Sequence, residues 1–141
     1  MQSLSQNFRT FYEQLSVQSL TELDRIYAQD VEFIDPVGTH FGLKSLHSYF
    51  LNLLKACQDC RFELTCVDET EHFHYVSWLM HYRHPRINGG RTVQLSGISQ
   101  LRIEQGKICY QRDYYDLGAM LYEHVPLLGR LIVWMKGRLK A

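Results

Sequence analysis

Asp35 closes a short run, Asp30-Val31-Glu32-Phe33-Ile34, and directly precedes Pro36-Val37-Gly38. A carboxylate at the end of a strand and before a rigid turn can point into an apolar cavity. There desolvation raises its pKa and makes it a useful proton shuttle. The same placement suits a turn-capping aspartate whose side chain accepts nearby backbone N–H groups. A second carboxylate, Asp113, lies in Gln111-Arg112-Asp113-Tyr114-Tyr115-Asp116, an unusually polar stretch for a strand. Alternation puts Gln111, Asp113 and Tyr115 on one face and Arg112, Tyr114 and Asp116 on the other. An Asp113 that faces Asp35 would form a carboxylate pair in which one acid stays protonated, which suits proton transfer or activation of a water. The competing outcome is a salt bridge from Asp113 to Arg102 or Arg83.

Other reactive side chains carry weaker signals. His72, His74, His81 and His84 cluster around one strand, and His40 follows the Asp35 turn closely enough to line a pocket mouth. A metal needs three or four convergent ligands, and no metal or other cofactor is expected. Cys57 and Cys60 have C-x-x-C spacing, but they sit at a helix end with no second ligand pair nearby. They read as small residues at a helix-to-strand junction, reduced in a cytoplasmic setting. Trp78, Met80 and Tyr82 alternate along a strand and read as pocket wall or core.

Helical spacing joins Leu4, Phe8, Phe11, Tyr12 and Leu15. A second helix, capped by Ser19 or Thr21, carries Leu20, Leu23, Ile26 and Tyr27 on one face. A third spans about 43 to 56, with Leu43, Leu46, Tyr49, Phe50, Leu53 and Leu54 as its apolar stripe. After Cys60 the period changes to two: Phe62, Leu64 and Cys66 alternate with polar residues, and so do His74, Val76, Trp78, Met80 and Tyr82. Asn88-Gly89-Gly90 turns strand 73–84 into strand 91–104, and Glu104-Gln105-Gly106-Lys107 leads into strand 107–116. Helices followed by long meandering strands predict an α+β fold, with one face of a curved antiparallel sheet enclosed.

The chain has 141 residues, with 45% hydrophobic and 21% charged, which is one domain's worth of core. Lys+Arg and Asp+Glu are both 15, so no basic excess points to nucleic acid. No apolar run is long enough to span a bilayer and no basic-then-apolar leader is seen, so a soluble, cytoplasmic protein is expected. Residues 1–117 read as the barrel domain and 118–141 as an added tail. That tail is rich in Leu, Val and Trp134, and its Arg130, Lys136, Arg138 and Lys140 outweigh Glu123. Pro126 separates two short helices in it. The tail either covers the barrel or a dimer interface, or rests on a membrane surface or a protein partner.

The segment from Tyr27 to Gly38, Tyr-Ala-Gln-Asp-Val-Glu-Phe-Ile-Asp-Pro-Val-Gly, resembles the first-strand signature of the nuclear transport factor 2-like superfamily. It is particularly similar to the ketosteroid isomerases and the SnoaL-like polyketide cyclases. The resemblance covers residues 5 to about 116 and implies a cone-shaped barrel, three N-terminal helices closing a curved sheet, and a homodimer. It implies that Asp35 is the general base and that Gln111, Asp113 and Tyr115 face inward. Counting back from Tyr27 places Phe11 where the isomerases carry an oxyanion tyrosine; Tyr12 is adjacent, but one helical step turns a side chain by about 100°. Ser99 falls where they carry an oxyanion acid. A serine hydroxyl donates more weakly, and losing one such donor costs about 10²–10³ in rate, so full steroid isomerase efficiency is not expected. The epoxide hydrolase branch uses an Asp-Arg-Asp arrangement, from which adjacent, oppositely facing Arg112 and Asp113 depart.

Together these readings predict a protein that encloses a small apolar or aromatic molecule. Catalysis, of isomerase or cyclase type, falls to Asp35 with Asp113 and Ser99. Phe11, Tyr12, His40, Trp78, Met80, Tyr82 and Tyr115 are expected to hold the ligand. The alternative is a binding or scaffold domain without chemistry.

Overall fold

A computed structural model describes residues 3–140. Helix α1 (Leu4–Glu13) starts at a capping box, in which the Ser3 hydroxyl accepts from the Gln6 amide and the Gln6 side chain accepts from the Ser3 amide. It buries Phe8, Phe11 and Tyr12. The expected second helix is instead a 3₁₀ turn, Gln18–Glu22, followed by a single α turn, α2 (Leu23–Ile26). Neither Ser19 nor Thr21 caps it. The Ser19 hydroxyl bonds back to Ser16, and that of Thr21 donates to the Gln18 carbonyl. These local bonds satisfy the segment in a tighter turn than an α-helix requires.

Strand β1 (Tyr27–Ile34) then buries Tyr27, Val31 and Phe33. The Asp35–Gly38 turn reverses the chain into a short strand not evident in the sequence, β2 (Thr39–Phe41), which pairs antiparallel with β1. Gly42, at φ 84°, begins α3 (Leu43–Ala56), a conformation that favours glycine, and its N–H donates to the Val31 carbonyl at 2.7 Å. This bond ties the helix to β1, and Leu46 and Phe50 face the core.

Four longer strands follow, β3 (Asp59–Glu69), β4 (Phe73–Arg83), β5 (Val93–Glu104) and β6 (Lys107–Tyr115). The sheet order is β2-β1-β6-β5-β4-β3, antiparallel except for the parallel β1–β6 pair. Alternation breaks where strands bulge: between Leu64 and Cys66 in β3, which turns Cys66 out to solvent and half-buries Val67, and in β6, where Ile108 and Gln111 are both buried. In β4 the period of two holds, with Val76, Trp78, Met80 and Tyr82 buried on one face. The core lies between that face and α1, α2 and α3.

The tail forms α4 (Leu117–Met120), a 3₁₀ turn at Tyr122–His124, and α5 (Leu128–Lys140), with Pro126 between the turn and α5. The Asp116 carboxylate caps α4 at the Ala119 amide, and the Tyr82 hydroxyl donates to the Met120 carbonyl. No helix among the described residues is long and apolar enough to cross a membrane.

Candidate functional site

Asp35 is 6% exposed and fully engaged. Its Oδ1 accepts the amides of Val37 (2.9 Å) and Gly38 (3.0 Å), and its Oδ2 accepts the Tyr49 hydroxyl at 2.9 Å. It is therefore the turn cap that the Asp-Pro-Val-Gly spacing allows, and it also anchors an α3 side chain. His40 stacks on Tyr49, with ring centroids 4.6 Å apart, and does not border the central cavity.

Asp113, half-buried, is the second carboxylate. In the β5–β6 register it stands opposite Ser99, whose hydroxyl donates to Asp113 Oδ1 at 2.5 Å. The Ser99 hydroxyl in turn accepts Trp78 Nε1–H at 2.9 Å. Gln111, two residues before Asp113 on the same face, donates to that same Oδ1 at 2.9 Å and to the Tyr12 hydroxyl at 3.3 Å. Tyr27 donates to Gln111 Oε1 at 2.6 Å. Its only proton being so used, the 2.7 Å contact between Tyr12 and Tyr27 has Tyr12 as donor. Every polar atom of this cluster but Asp113 Oδ2 thus has an assigned role.

Asp113 Oδ2 receives no hydrogen bond among the described residues, and no buried side-chain oxygen there lacks a partner, so this atom borders open space. Asp113 borders a small hollow beside Ser99 and a cavity of about 60 Å³, walled by Phe33, Phe50, Leu53, Phe62, Met80 and Met120, with Tyr12, Tyr49, Trp78 and Tyr115 completing the wall. Burial pushes the Asp113 carboxyl up to about 6; the Ser99 and Gln111 donors oppose this, and the charge of Asp35 adds to it. Burial also raises Tyr12, Tyr27, Tyr49 and Tyr115, with nearby carboxylate charge adding to each, so all four keep their protons at neutral pH.

Asp113, Ser99, Tyr12, Trp78, Met80 and Tyr115 therefore meet at or beside the cavity. Phe11 does not. One helical step from Tyr12, it packs on Phe50 and borders a separate groove between α1 and the Gln18–Glu22 turn. That groove is larger, about 370 Å³, but open, and its single carboxylate, Glu22, is paired with Arg25 at 2.9 Å. Tyr82 lies behind the wall, held by the Met120 carbonyl. Asp113 makes no salt bridge among the described residues; Arg102 pairs with Glu104 instead.

The histidines diverge: His74 lines a small hollow with Leu4 and Phe8, His81 faces Glu63, and His84 accepts the Arg86 amide. No group of three metal-ligating side chains converges among the described residues. The four cysteines are free thiols, and burial raises Cys57 and pushes Cys60 up to about 12, the opposite of what a thiolate redox pair needs.

Sequence reasoning gives Tyr27 and Tyr49 no part in the site, and sets Gln111 on the face of Asp113 without a role. For Gln111 a signal was present: it shares the face of Asp113, and a polar residue on an enclosed face must find partners. Tyr49 was read as apolar stripe, although its hydroxyl needed an acceptor once buried.

Two substitutions test this wiring. Tyr27→Phe leaves the fully buried Gln111 Oε1 without a donor and should cost about 1–3 kcal/mol in a denaturant melt. Ser99→Ala removes a donor that favours the Asp113 carboxylate, so the Asp113 midpoint, followed by carboxyl ¹³C NMR, should move above 6.

The SnoaL-like domain family matches the chain over residues 8–111. Among solved structures, a SnoaL-like polyketide cyclase from Agrobacterium tumefaciens superposes with a TM-score of 0.72 at 22% identity, covering 85% of this chain and 96% of that one. A hypothetical protein of ketosteroid isomerase-like fold from Catenulispora acidiphila, in complex with trimethylamine, gives 0.72 at 13% identity over 86% and 90%. TerC, co-crystallised with polyporic acid, gives 0.69 at 14% identity over 83% and 92%. No curated protein matches the chain. At these identities the superpositions establish the fold, and the match over most of the barrel establishes the family: this chain belongs to the SnoaL-like domain family.

Proposed function

We propose that the protein binds a small, mostly apolar or aromatic molecule in the barrel cavity and moves a proton on it, as an isomerase or cyclase does, with Asp113 as the base. The observation that carries this is the cavity-facing Asp113 Oδ2, the free oxygen of a carboxyl whose other oxygen is held by two donors. A carboxyl pushed up to about 6 is mostly ionised at neutral pH and still basic enough to accept a proton from carbon next to a carbonyl. Tyr115 makes no hydrogen bond among the described residues and keeps its proton, so its O–H is the donor for the enolate oxygen that develops. Asp113 then returns the proton to a different carbon, which moves a double bond, or the enolate carbon attacks a carbonyl carbon of the same molecule, whose C=O π bond breaks and whose oxygen takes the proton back from Asp113, which closes a ring.

In this reading Asp35 is a positioning residue. It orients Tyr49 in the cavity wall and adds negative charge that raises Asp113. No cofactor is required. At about 60 Å³ the cavity has room for roughly two waters, so a larger substrate requires its wall to move. Relatives found with polyporic acid and with trimethylamine support small-molecule binding in this fold. The small cavity equally favours a second reading, a binding domain without turnover.

A thermal-shift screen against enones, steroids, polyketide-like phenols and epoxides separates the two, followed by product analysis with any hit. Proton transfer predicts a ligand that stabilises wild type and is converted by it and by Asp35→Asn, but is not converted by Asp113→Asn. A ligand bound by all three and converted by none supports the binding reading. No stabilisation by any class contradicts both.

A further inference from the structure

Helix α5 meets the rest of the protein along one edge only. Gly129 lies so close to the Glu123 carbonyl that a Cβ there would come within 2.3 Å of its oxygen, and Lys136 bridges Asp116 (3.0 Å) and Glu123 (3.1 Å). At about 100° per residue, Leu128, Leu131, Trp134, Met135 and Arg138 fall on a single arc turned away from Gly129 and Lys136. The apolar members of that arc are exposed, Leu131 by 51%, Trp134 by 59% and Met135 by 54%. Leu127, 76% exposed at the start of the helix, and Leu139, 89% exposed at its end, extend the apolar surface. Nothing among the described residues covers it.

We propose that this face of α5 docks the protein on an anionic phospholipid surface. Charge decides the occupant. The thirteen residues of α5 include no acid; Lys136 is held by Asp116 and Glu123, which leaves Arg130, Arg138 and Lys140 without an ion pair among the described residues. A second copy of the helix would set like charges against each other, whereas anionic headgroups complement them. Arg138 lies over the Trp134 ring at 5.5 Å, so a cation and an amphipathic aromatic occupy the same strip, the combination that suits the headgroup boundary. A helix of this length is about 20 Å long, too short to span a bilayer and long enough to lie along it.

The experiment mixes the full chain with extruded vesicles of phosphatidylcholine alone or with one third phosphatidylglycerol, reading co-sedimentation and tryptophan emission. Docking predicts sedimentation with the anionic vesicles only, weakened by salt, with a blue shift that disappears in Trp134→Phe. Arg130→Gln and Arg138→Gln should each lower partitioning roughly fivefold. Leu131→Ser with Trp134→Ser should abolish it while leaving the thermal melt unchanged, because both side chains are exposed. Failure to sediment, equal binding to both vesicle types, or binding retained in the double serine variant would overturn the proposal. So would a dimer in sedimentation velocity that the double serine variant converts to monomer, since the face would then belong to a second copy.

Discussion

Asp113→Asn is expected to remove turnover and yet to leave the folded protein more stable than wild type at pH 7. In the fold this carboxyl is pushed from the ordinary 3.8 up to about 6, chiefly by burial. Between those values the folded state holds a proton that the unfolded chain has released, so stability falls as pH rises through that window. Above about 6 the native state carries the whole penalty of a buried charge, on the order of 3 kcal/mol. Asparagine keeps the Oδ1 acceptor for Ser99 and Gln111 and never ionises. Melts of the two proteins should agree near pH 4 and separate toward pH 7 with the variant higher, while turnover of a converted ligand drops about 10²–10⁴-fold. Equal melts at every pH would mean that the carboxyl is not desolvated.

Gly97→Ala should be the most damaging small change in the sheet. A Cβ at this position would sit 2.3 Å from two carbons of the Trp78 ring, its register partner on β4. β5 is paired on both sides, to β4 and β6, so its backbone cannot retreat. The indole must move instead, and its N–H leaves the Ser99 hydroxyl. Overpacking and the loss of that buried bond together should cost about 3 kcal/mol in denaturant. Gly97 is thus glycine because an aromatic ring crosses it. A variant as stable as wild type, with unchanged Trp78 fluorescence, would show that the ring is not confined.

Much of the framework was legible in the sequence because single periods set it. The stripe from Leu43 to Leu54 marks α3 at its observed limits, and the alternation from His74 to Tyr82 marks the enclosed face of β4. Where two local preferences compete, legibility fails. Ser16 and Ser19 draw residues 18–22 into a 3₁₀ turn, and the bulge after Leu64 reverses the side chains of β3 beyond it. The parallel β1–β6 pairing is a long-range contact that no local pattern encodes.

At the site, alternation put Gln111, Asp113 and Tyr115 on one face, and the family resemblance, not the pattern, implied that this face is the inner one. The division of labour between the two carboxylates was beyond reach. It depends on the Val37 and Gly38 amides and on Tyr49, which satisfy Asp35, and on the absence of any donor at Asp113 Oδ2 among the described residues. Such differences arise only when the elements meet. The neighbouring positions 11 and 12 show the same dependence: residue types allow either, and only helix rotation puts Tyr12 on the cavity and Phe11 behind it.

The most direct test of Asp113 as the working base needs no substrate. Carboxyl ¹³C NMR of aspartate-labelled protein, titrated from pH 3 to 8 in wild type, Asp113→Asn and Asp35→Asn, identifies which group ionises near neutrality. One resonance with a midpoint near 6, present in wild type and Asp35→Asn and missing in Asp113→Asn, is the predicted result. A high-midpoint resonance that disappears with Asp35→Asn instead, or no aspartate titrating above the ordinary carboxyl range, would contradict it.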